Sequence, residues 1–330
     1  MNFYKTLSKF SLNSNSKVVL FGKDYEPKTN EEKKWDHLYE KISTIIWVSY
    51  RSNFPPILET IYTNDQGWGC AIRTGQMMFS QALLFTLLGR DFSPQKCNNQ
   101  EELKIYKKIL SYFLDYPSSC YSIHNICSYA SENFNYKIGK WFGPTSIVQT
   151  LKYLYEQKHS DQLRIYVSVE PDIYLDKISK SEKFVPIFFC ISTRLGMNSL
   201  NTIYAEQLKE LFTFPQFMGF VGGKPMSSYY FVGCTGNQLL YLDPHYTQTV
   251  VQTSNEGDFN FESYIPKGIS QININRIDPS MTLGFLCKSE QEYENFLERA
   301  NIFIEKYQGK QIFSIHKNSP NFDFDDFIEF

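Results

Sequence analysis

The 330-residue sequence lacks several features that mark special classes of protein. It has no run of about 18 apolar residues, the length that a membrane-spanning helix needs, and residues 1–10 lack the apolar core of a secretion signal. It has no Cys-x-x-Cys pair, and its 7 cysteines are spread along the chain, unlike the dense, even set of a small secreted protein. We therefore expect a cytoplasmic protein with free thiols, without a transmembrane segment or a metal site.

An excess of charge of one sign is also missing. The chain carries 33 Lys and Arg residues against 35 Asp and Glu residues, which leaves a formal net charge of -2 at pH 7. Such a balance does not attract the whole molecule to nucleic acid or to anionic lipid. We therefore expect no nucleic-acid partner, and we expect any other partner to be recognised locally.

The spacing of apolar residues predicts helices mainly in the first part of the chain and strands in the second. Helical spacing occurs in residues 31–49, 71–88, 144–154 and 289–304. Strand patterns occur in residues 164–169, 184–192, 228–234, 238–242 and 282–287. The strands on either side of residues 235–237 should form an antiparallel hairpin, because Gly236 suits a short turn. The sequence thus predicts an α+β protein whose two parts meet at a cleft.

The two ends of the sequence have biased compositions. Residues 11–16 are rich in Ser and Asn, and residues 321–330 are acidic and aromatic. Such segments rarely pack into a core. We expect a flexible N-terminal arm over residues 1–17, a folded domain over residues 18–310 and a flexible acidic aromatic tail over residues 311–330.

The first candidate for chemistry is Cys70, which follows two glycines, Gly67 and Gly69, at the start of a strongly apolar predicted helix. The first turn of a helix presents unpaired backbone N–H groups and favours an anion such as a thiolate. The glycines would let a substrate carbonyl approach the sulfur closely. A buried cysteine is also a common small core residue, so both roles stay open on the residue pattern alone.

A thiolate nucleophile needs an imidazole beside it, and the chain has 5 histidines. His245 follows a predicted strand, and Asp243 stands two positions earlier, so that carboxylate could orient one ring nitrogen while the other faces Cys70. A strand-ending turn at Asp243 and Pro244 would explain the same residues. The other four histidines are less suited. His37 and His159 lie among charged residues and should be solvated, His124 has no neighbouring carboxylate, and His316 is near the end of the chain.

These signals occur in ordered blocks that together resemble the autophagin family of cysteine peptidases. The resemblance covers roughly residues 18–308. The blocks are Tyr50-Arg51-Ser52-Asn53-Phe54-Pro55; Gly67-Trp68-Gly69-Cys70 with Arg73, Gly75, Gln76 and Met77; Trp141-Phe142-Gly143-Pro144; Arg194-Leu195-Gly196; Gly222-Gly223-Lys224-Pro225 with Tyr230-Phe231; Tyr241-Leu242-Asp243-Pro244-His245; and Asp278-Pro279-Ser280.

The resemblance implies a papain-like fold, with the nucleophile helix packed against an antiparallel sheet and a small family-specific subdomain. It implies a cysteine protease that cleaves after the C-terminal glycine of the ubiquitin-like autophagy modifier. The precursor and the phosphatidylethanolamine conjugate are both substrates, no cofactor is needed, and contact with autophagic membranes comes through the conjugate. The resemblance assigns the triad to Cys70, His245 and Asp243, and it makes the Tyr50 hydroxyl and the Cys70 backbone N–H the oxyanion donors.

Substrate-binding residues also follow from the resemblance. Trp141 corresponds to a residue that covers the cleft, and a core aromatic at a helix entry is the alternative. Residues 221–224 correspond to a mobile loop that lifts for the substrate tail. The implied set is Trp141, Arg194, Val221, Gly222, Gly223, Lys224 and Pro225.

The chain departs from the family pattern in two places. After Gly-Gly-Lys-Pro many relatives carry Asn-Ser-His or a similar run, whereas this chain has Met226, Ser227, Ser228 and Tyr229, so the contacts of this segment stay open. Thr74 stands where many relatives carry a second cysteine, so redox control through that position is not assumed.

Two other functions stay open at this point. The triad would also serve a papain-like peptidase for another ubiquitin-like protein or for general peptides. The same fold could bind the modifier with little turnover. The family blocks favour the autophagy modifier, and the intact set of catalytic positions favours turnover.

Short motifs at the two ends resemble the modifier-interacting motifs of autophagin termini. Tyr4 and Leu7 are three positions apart, which is about 10 Å along a strand, so their side chains could fill separate pockets while the backbone joins a sheet edge. Phe327 and Phe330 form a poorer match, because such motifs end in Leu, Ile or Val. Plain disorder of both ends is the alternative.

Overall fold

A computed structural model describes residues 16–27, 35–159, 162–178, 183–253 and 259–320. The helices in these ranges are α1 (Asp36–Ser43), α2 (Cys70–Leu88), α3 (Gln100–Ser111), α4 (Ile123–Phe134), α5 (Pro144–Glu156), α6 (Ala205–Leu211) and α7 (Glu290–Lys306). The strands are β1 (Val18–Leu20), β2 (Lys23–Tyr25), β3 (Arg51–Ser52), β4 (Arg164–Ser168), β5 (Asp172–Tyr174), β6 (Ile187–Arg194), β7 (Phe217–Lys224), β8 (Ser227–Thr235), β9 (Gln238–Leu242), β10 (Gln248–Thr249), β11 (Ser270–Asn273), β12 (Ser280–Cys287) and β13 (Ser314–His316). The motif residues Tyr4, Leu7, Phe327 and Phe330 lie outside the described residues.

A nine-stranded sheet forms the centre of the molecule. Its main order is β11-β9-β8-β7-β12-β6-β4, and β1 joins β8 while β2 pairs with β1. The pairs are antiparallel except for β4 with β6. The predicted hairpin of β8 and β9 is confirmed, with Thr235 opposite Gln238 across the turn. Two small parallel pairs, β3 with β10 and β5 with β13, complete the strands.

Helices cover both faces of this sheet, which explains why its central strands are apolar throughout. Side chains alternate along a strand, so Phe188 and Cys190 join the cluster that contains α2, whereas Phe189 and Ile191 join the cluster that contains α6 and α7. Residues from Cys70 to Phe85 of α2 are all buried, as the apolar surround of this helix predicts. The α+β prediction is confirmed.

The first predicted helix is shorter than expected. The sequence predicts a helix over residues 31–49, but α1 ends at Ser43 and residues 45–50 are buried outside it. There Trp47 N–H donates to Tyr264 O at 2.8 Å, and Tyr50 N–H donates to Pro244 O at 2.9 Å. Backbone bonds to distant parts of the chain therefore replace the helical bonds that the apolar spacing predicts.

The packed part of the chain extends beyond residue 310, where the sequence placed the start of a flexible tail. Ile312 and Phe313 are each 1% exposed within the core, and β13 pairs with β5. Ser319 also binds Asp176, with its N–H at 3.0 Å and its hydroxyl at 2.7 Å from Oδ2. The predicted boundary at 310 is therefore wrong for residues 311–320. In the described ranges, no helix has both the length and the apolar character that a membrane crossing requires.

Candidate active site

The strand ends that precede the candidate residues lie at one edge of the sheet. Thr282 in β12 is opposite both Ser192 in β6 and Val221 in β7. Tyr230 in β8 is opposite both Val221 and Leu242, near the end of β9. The last residues of β6, β7 and β9 therefore lie at the same end of the sheet. Arg194 ends β6, Lys224 ends β7 and His245 follows β9.

Two helices begin at this same edge. Thr74, one turn into α2, places its Oγ1 2.8 Å from the hydroxyl of Ser228 in β8. Thr145, in the first turn of α5, donates to the hydroxyl of Ser192 in β6 at 2.9 Å. These contacts bring the first turns of α2 and α5 to the end of the sheet where the strand ends meet. The residues just before α5 lie there too.

Cys70 is the first residue of α2 and is 1% exposed. The turn before it is closed by the Asp65 carbonyl, which accepts the N–H groups of Trp68 at 3.2 Å and Gly69 at 2.9 Å. A Cβ atom at Gly69 would overlap the Asp65 carboxylate, so only glycine fits this close approach. The tight turn delivers Cys70 to the helix N-terminus, where the backbone favours a thiolate.

A buried network of ion pairs supports the turn that precedes Cys70. Arg73 lies 2.7 Å from the Asp65 carboxylate and 2.7 Å from the Asp115 carboxylate, and these side chains are at most 2% exposed. Asp65 Oδ1 also accepts the Arg51 N–H at 2.7 Å. The network thus connects the turn before Cys70 with α2 and β3. The sequence analysis noted Arg73 as a motif residue but missed Asp65 and Asp115, because nothing in the local sequence pairs them.

Asp243 and His245 make the contact that their spacing predicts. Asp243 Oδ1 is 2.5 Å from His245 Nδ1 and accepts the His245 backbone N–H at 2.9 Å. The Asp243 carbonyl accepts the indole N–H of Trp47 at 2.8 Å, which holds the turn against the first half of the chain. His245 Nε2 is buried and has no hydrogen-bond partner among the described residues.

The surroundings of His245 favour its charged form. Burial alone lowers the pKa of the imidazole, but the hydrogen bond to Asp243, the neighbouring Cys70 side chain and the charges of these two groups raise it to about 9. An imidazole with this pKa is mostly protonated at neutral pH and can pair with a thiolate. The site therefore holds the groups that a thiol hydrolase needs: a nucleophile, an acid–base residue and a carboxylate that orients it.

Tyr50 lies beside both reacting groups. Its ring centroid is 5.4 Å from that of His245, in an edge-on arrangement. Burial, and next the neighbouring Cys70 thiol, raise the pKa of the Tyr50 hydroxyl, while a hydrogen bond with the Gly67 backbone acts in the opposite direction. The hydroxyl thus stays protonated and can donate a hydrogen bond close to Cys70, as an oxyanion donor must.

Tyr229 is a site residue that sequence reasoning missed. Its ring centroid is 5.5 Å from that of His245 and 4.3 Å from that of Tyr241. Burial raises the pKa of its hydroxyl most; a hydrogen bond with Ser227 lowers it, and the charges of Asp243 and Cys70 raise it further. Tyr229 therefore forms a wall of the imidazole pocket. The only sequence signal was that Tyr229 falls in the segment that departs from the family pattern.

Trp141 and Arg194 lie on the surface near this edge. Trp141 is 45% exposed and stands three positions before the first residue of α5, so the alternative of a core aromatic does not describe it. Arg194, at the end of β6, donates to the Ser280 hydroxyl at 2.6 Å and to the Met197 carbonyl. Both side chains are accessible to a partner.

Residues 221–224 are not the loop that the resemblance implies. They are the end of β7, where Val221, Gly222 and Gly223 are buried and paired with β8. A Cβ atom at Gly223 would overlap the Ser227 carbonyl, so the glycine serves close strand approach. The exposed part is the hairpin tip, which contains Lys224, Pro225 and Met226.

The four remaining histidines make contacts with other groups. His37 and His159 are half-buried, which corrects the prediction that both are solvated, and His159 bonds the Tyr121 hydroxyl at 2.8 Å. His124 binds the Pro55 carbonyl and His316 binds Asp172, each at 2.7 Å. The 7 cysteines are free thiols. In the part of the chain that the structure describes, no group of three or more His, Cys, Asp or Glu side chains is arranged to hold a metal ion.

Comparison with known proteins agrees with this arrangement. The model of the peptidase C54 catalytic domain matches residues 35–299. "Cysteine protease ATG4A" of Xenopus laevis is 34% identical over 338 residues, which cover 93% of this chain and 83% of that protein. The protein of the same name from Homo sapiens is 35% identical over 337 residues, 92% of this chain and 83% of that protein. "Probable cysteine protease atg4" of Aspergillus niger is 32% identical over 334 residues, 89% and 80% of the two chains. The chain therefore belongs to the peptidase C54 family, the autophagins that its sequence resembles, and is an autophagy-related, papain-like cysteine peptidase.

Proposed function

We propose that this peptidase cleaves after the C-terminal glycine of the ubiquitin-like autophagy modifier, both in its precursor and in its phosphatidylethanolamine conjugate. The burial of Cys70, which is only 1% exposed, is the observation that carries the proposal. A nucleophile so enclosed suits a narrow, extended chain end, and glycine is the residue with the least bulk at the scissile carbonyl. The 34% and 35% identity to proteins named ATG4A supports the same substrate class.

In the proposed mechanism, Cys70 attacks as a thiolate and His245 carries the proton on Nε2. The sulfur adds to the glycine carbonyl, and the oxyanion accepts hydrogen bonds from the Tyr50 hydroxyl and the Cys70 backbone N–H. His245 then protonates the leaving amine, and the carbon–nitrogen bond breaks to give a thioester. With His245 as base, water hydrolyses the thioester and releases the glycine carboxylate and the thiol. Asp243 keeps the ring oriented through Nδ1 in every step.

One mechanism serves both substrates because both scissile bonds are amides of the same glycine. The leaving group is a peptide amine in the precursor and the ethanolamine amine in the lipid conjugate. Trp141 and the hairpin tip at Lys224 and Pro225 would contact the extended tail, and Arg194 would contact the modifier next to them. Contact with autophagic membranes would come through the conjugate, and the 7 free thiols suit the cytoplasm.

The test uses a modifier precursor that carries residues beyond its glycine, and the same modifier joined to phosphatidylethanolamine. Each is mixed with the enzyme and the products are weighed by mass spectrometry. We expect cleavage after glycine in both, no thioester or product with Cys70→Ser, and unchanged cleavage with Cys97→Ser as the matched control. Cys97 is half-buried near the start of α3, away from α2's first turn.

The outcomes separate the proposal from the two alternatives. Tight binding of the precursor without turnover would favour a modifier-binding protein. Cleavage of another ubiquitin-like precursor in preference to the autophagy modifier would favour a peptidase of different substrate class. Full activity of Cys70→Ser would reject Cys70 as the nucleophile in either case.

A further inference from the structure

An open groove runs along β4, at the edge of the sheet far from β9. The groove has a volume of about 580 Å³ and is lined by β4 itself and by the segment that follows β5. β4 is the last strand in the sheet order, and β6 is its one partner among the described strands. A sheet edge of this kind is a template for a further strand.

The backbone of β4 is oriented to accept such a strand. The Arg164 N–H donates to the Pro186 carbonyl at 2.8 Å, on the β6 side. Because backbone groups alternate in direction along a parallel strand, Tyr166 and Ser168 also face β6, and Ile165 and Val167 direct their N–H and carbonyl groups outward. These outward groups border the groove.

The walls of the groove combine apolar surface with positive charge. Ile178 and the exposed Val169 supply the apolar part, and Val169 is 58% exposed. The lining contains three basic side chains, those of Lys152, Arg164 and Lys177, and one acidic side chain, that of Glu156. Lys152 and Glu156 are 3.7 Å apart, and three basic against one acidic side chain give the lining as a whole a formal charge of +2. The groove therefore suits an extended segment with alternating apolar and acidic residues.

The chain itself delivers such a segment to this place. Ser319 is held by two hydrogen bonds to Asp176, the residue before Lys177 in the groove wall. Residues 321–330 follow directly. Phe322 and Phe324 alternate with acidic residues at the spacing of a strand, and the segment carries four acids and no base: Asp323, Asp325, Asp326 and Glu329. Fully extended, ten residues reach about 33 Å, whereas the five residues of β4 need only about 17 Å.

We propose that residues 321–330 bind along the outer edge of β4 as an added strand of the same chain. Phe322 and Phe324 would pack on the apolar wall, and the carboxylates would face Lys177 and Arg164. Because the attachment point at Ser319 lies beside the groove, the tail is present at a high effective concentration. The proposal is independent of the peptidase reaction, since none of these residues belongs to the site around Cys70.

Amide hydrogen exchange in the full chain tests the proposal. The amides of Ile165 and Val167 should be protected, and the double substitution Phe322→Ser/Phe324→Ser should raise their exchange rates about tenfold or more, as expected when a tethered segment is released. Lys177→Glu should raise the same rates, and adding Asp325→Lys to it should restore part of the protection. Lys267→Glu, at an exposed position away from the groove, is the matched control and should change nothing.

A peptide with the sequence of residues 321–330 gives a second measurement. It should bind the Phe322→Ser/Phe324→Ser protein saturably and restore the protection of Ile165 and Val167, and it should bind the unaltered chain at least tenfold more weakly because the site is filled. Exchange that is slow but insensitive to the tail substitutions would show that another segment or a second copy covers β4. Exchange that is fast in every variant would show that nothing does. Either result overturns the proposal.

Discussion

One carboxylate oxygen of Asp243 contacts His245 twice, at 2.5 Å from the ring nitrogen Nδ1 and at 2.9 Å from the backbone nitrogen. The two contacts fix the ring relative to the chain and require Nδ1 to carry its proton toward the carboxylate. Nε2 is then the nitrogen left for the proton exchange with Cys70 in the proposed mechanism. The two-residue spacing across Pro244 is what makes both contacts geometrically compatible.

Asp243→Ala should lower kcat by about 10³- to 10⁴-fold with little change in KM, because the carboxylate acts mainly when the imidazole is charged. It should also move the basic limb of the pH profile of kcat/KM from near pH 9 to lower pH, since Asp243 raises the pKa of His245 to about 9. A rise in KM alone, with the limb unmoved, would make Asp243 a substrate-binding residue.

The same pKa shift predicts a dependence of stability on pH. The pKa of His245 is raised from 6.5 to about 9, so its contribution to the free energy of unfolding is fully present below pH 6.5 and is lost as pH rises through 9. Asp243→Ala should flatten this part of the stability curve, which urea unfolding at a series of pH values would measure. An unchanged curve would show that the Asp243–His245 pair does not form.

Tyr229→Ala should shift the basic limb in the opposite direction, to higher pH. The Tyr229 ring contributes to the burial that lowers the pKa of His245, and its loss would admit water to the imidazole. We expect kcat to fall about tenfold because the ring is held less well. Tyr229→Phe keeps the ring and is the matched control, with an unchanged profile. If the basic limb of the pH profile of kcat/KM is the same in Tyr229→Ala as in the parent, the Tyr229 ring has a role in packing only.

The buried network of Arg73, Asp65 and Asp115 predicts a variant that loses stability. Asp65→Ala removes one partner of the buried Arg73, which should lower the free energy of unfolding by about 3–5 kcal/mol. The Glu101–Lys104 pair has the same 2.7 Å separation but is at least 71% exposed, so Glu101→Ala should have no measurable effect. Equal stabilities of the two variants in urea unfolding would contradict the role given to the network.

Trp141→Ala tests the proposed contact of the exposed indole with the substrate tail. We expect poorer alignment of the glycine tail, seen as lower kcat/KM on the precursor, together with faster relative cleavage of a precursor whose glycine is replaced by alanine. Tyr153→Ala is the matched control, because Tyr153 is 41% exposed further along α5 and Trp141 is 45% exposed. If both variants keep the kinetics of the parent, Trp141 has no part in substrate selection.

The terminal motifs make the last prediction. In a Cys70→Ser background, Tyr4→Ala/Leu7→Ala should bind the modifier about tenfold more weakly than the parent, as expected when two pocket-filling side chains are lost. Phe327→Ala/Phe330→Ala should have a smaller effect, because its last residue matches the motif less well. Calorimetric titration measures each affinity. Equal affinities of the three proteins would leave recognition to the folded surface.

Local signals account for the parts of the fold that the sequence predicts well. Gly69 and Cys70 mark the start of α2, and Gly236 marks the β8–β9 turn. Ser289 caps α7 by accepting the Glu292 N–H at 3.2 Å, as the spacing of the two residues predicts. In each case the residues that decide the structure lie within a few positions of one another.

The sequence predictions fail where contacts between residues far apart in the sequence determine the structure. Gly222 and Gly223 have the composition of a turn, yet both pair with β8 within β7. At Gly223 the backbone of β8 approaches too closely for a side chain. Arg73 and Asp115 are 42 positions apart, and no local pattern could pair them. Tyr229 reaches His245 only because β8 and β9 are in register, which a list of motif residues does not contain.

The bond from the Trp47 indole to the Asp243 carbonyl spans 196 positions in the sequence, and this separation bears on when the enzyme becomes active during its synthesis. Contacts between such distant positions form late, after the loops between them have closed. Cys70 is made long before His245 emerges from the ribosome, so the growing chain carries a thiol without its base. Since the proposed mechanism needs both groups, we expect a chain that is interrupted before residue 245 to lack proteolytic activity.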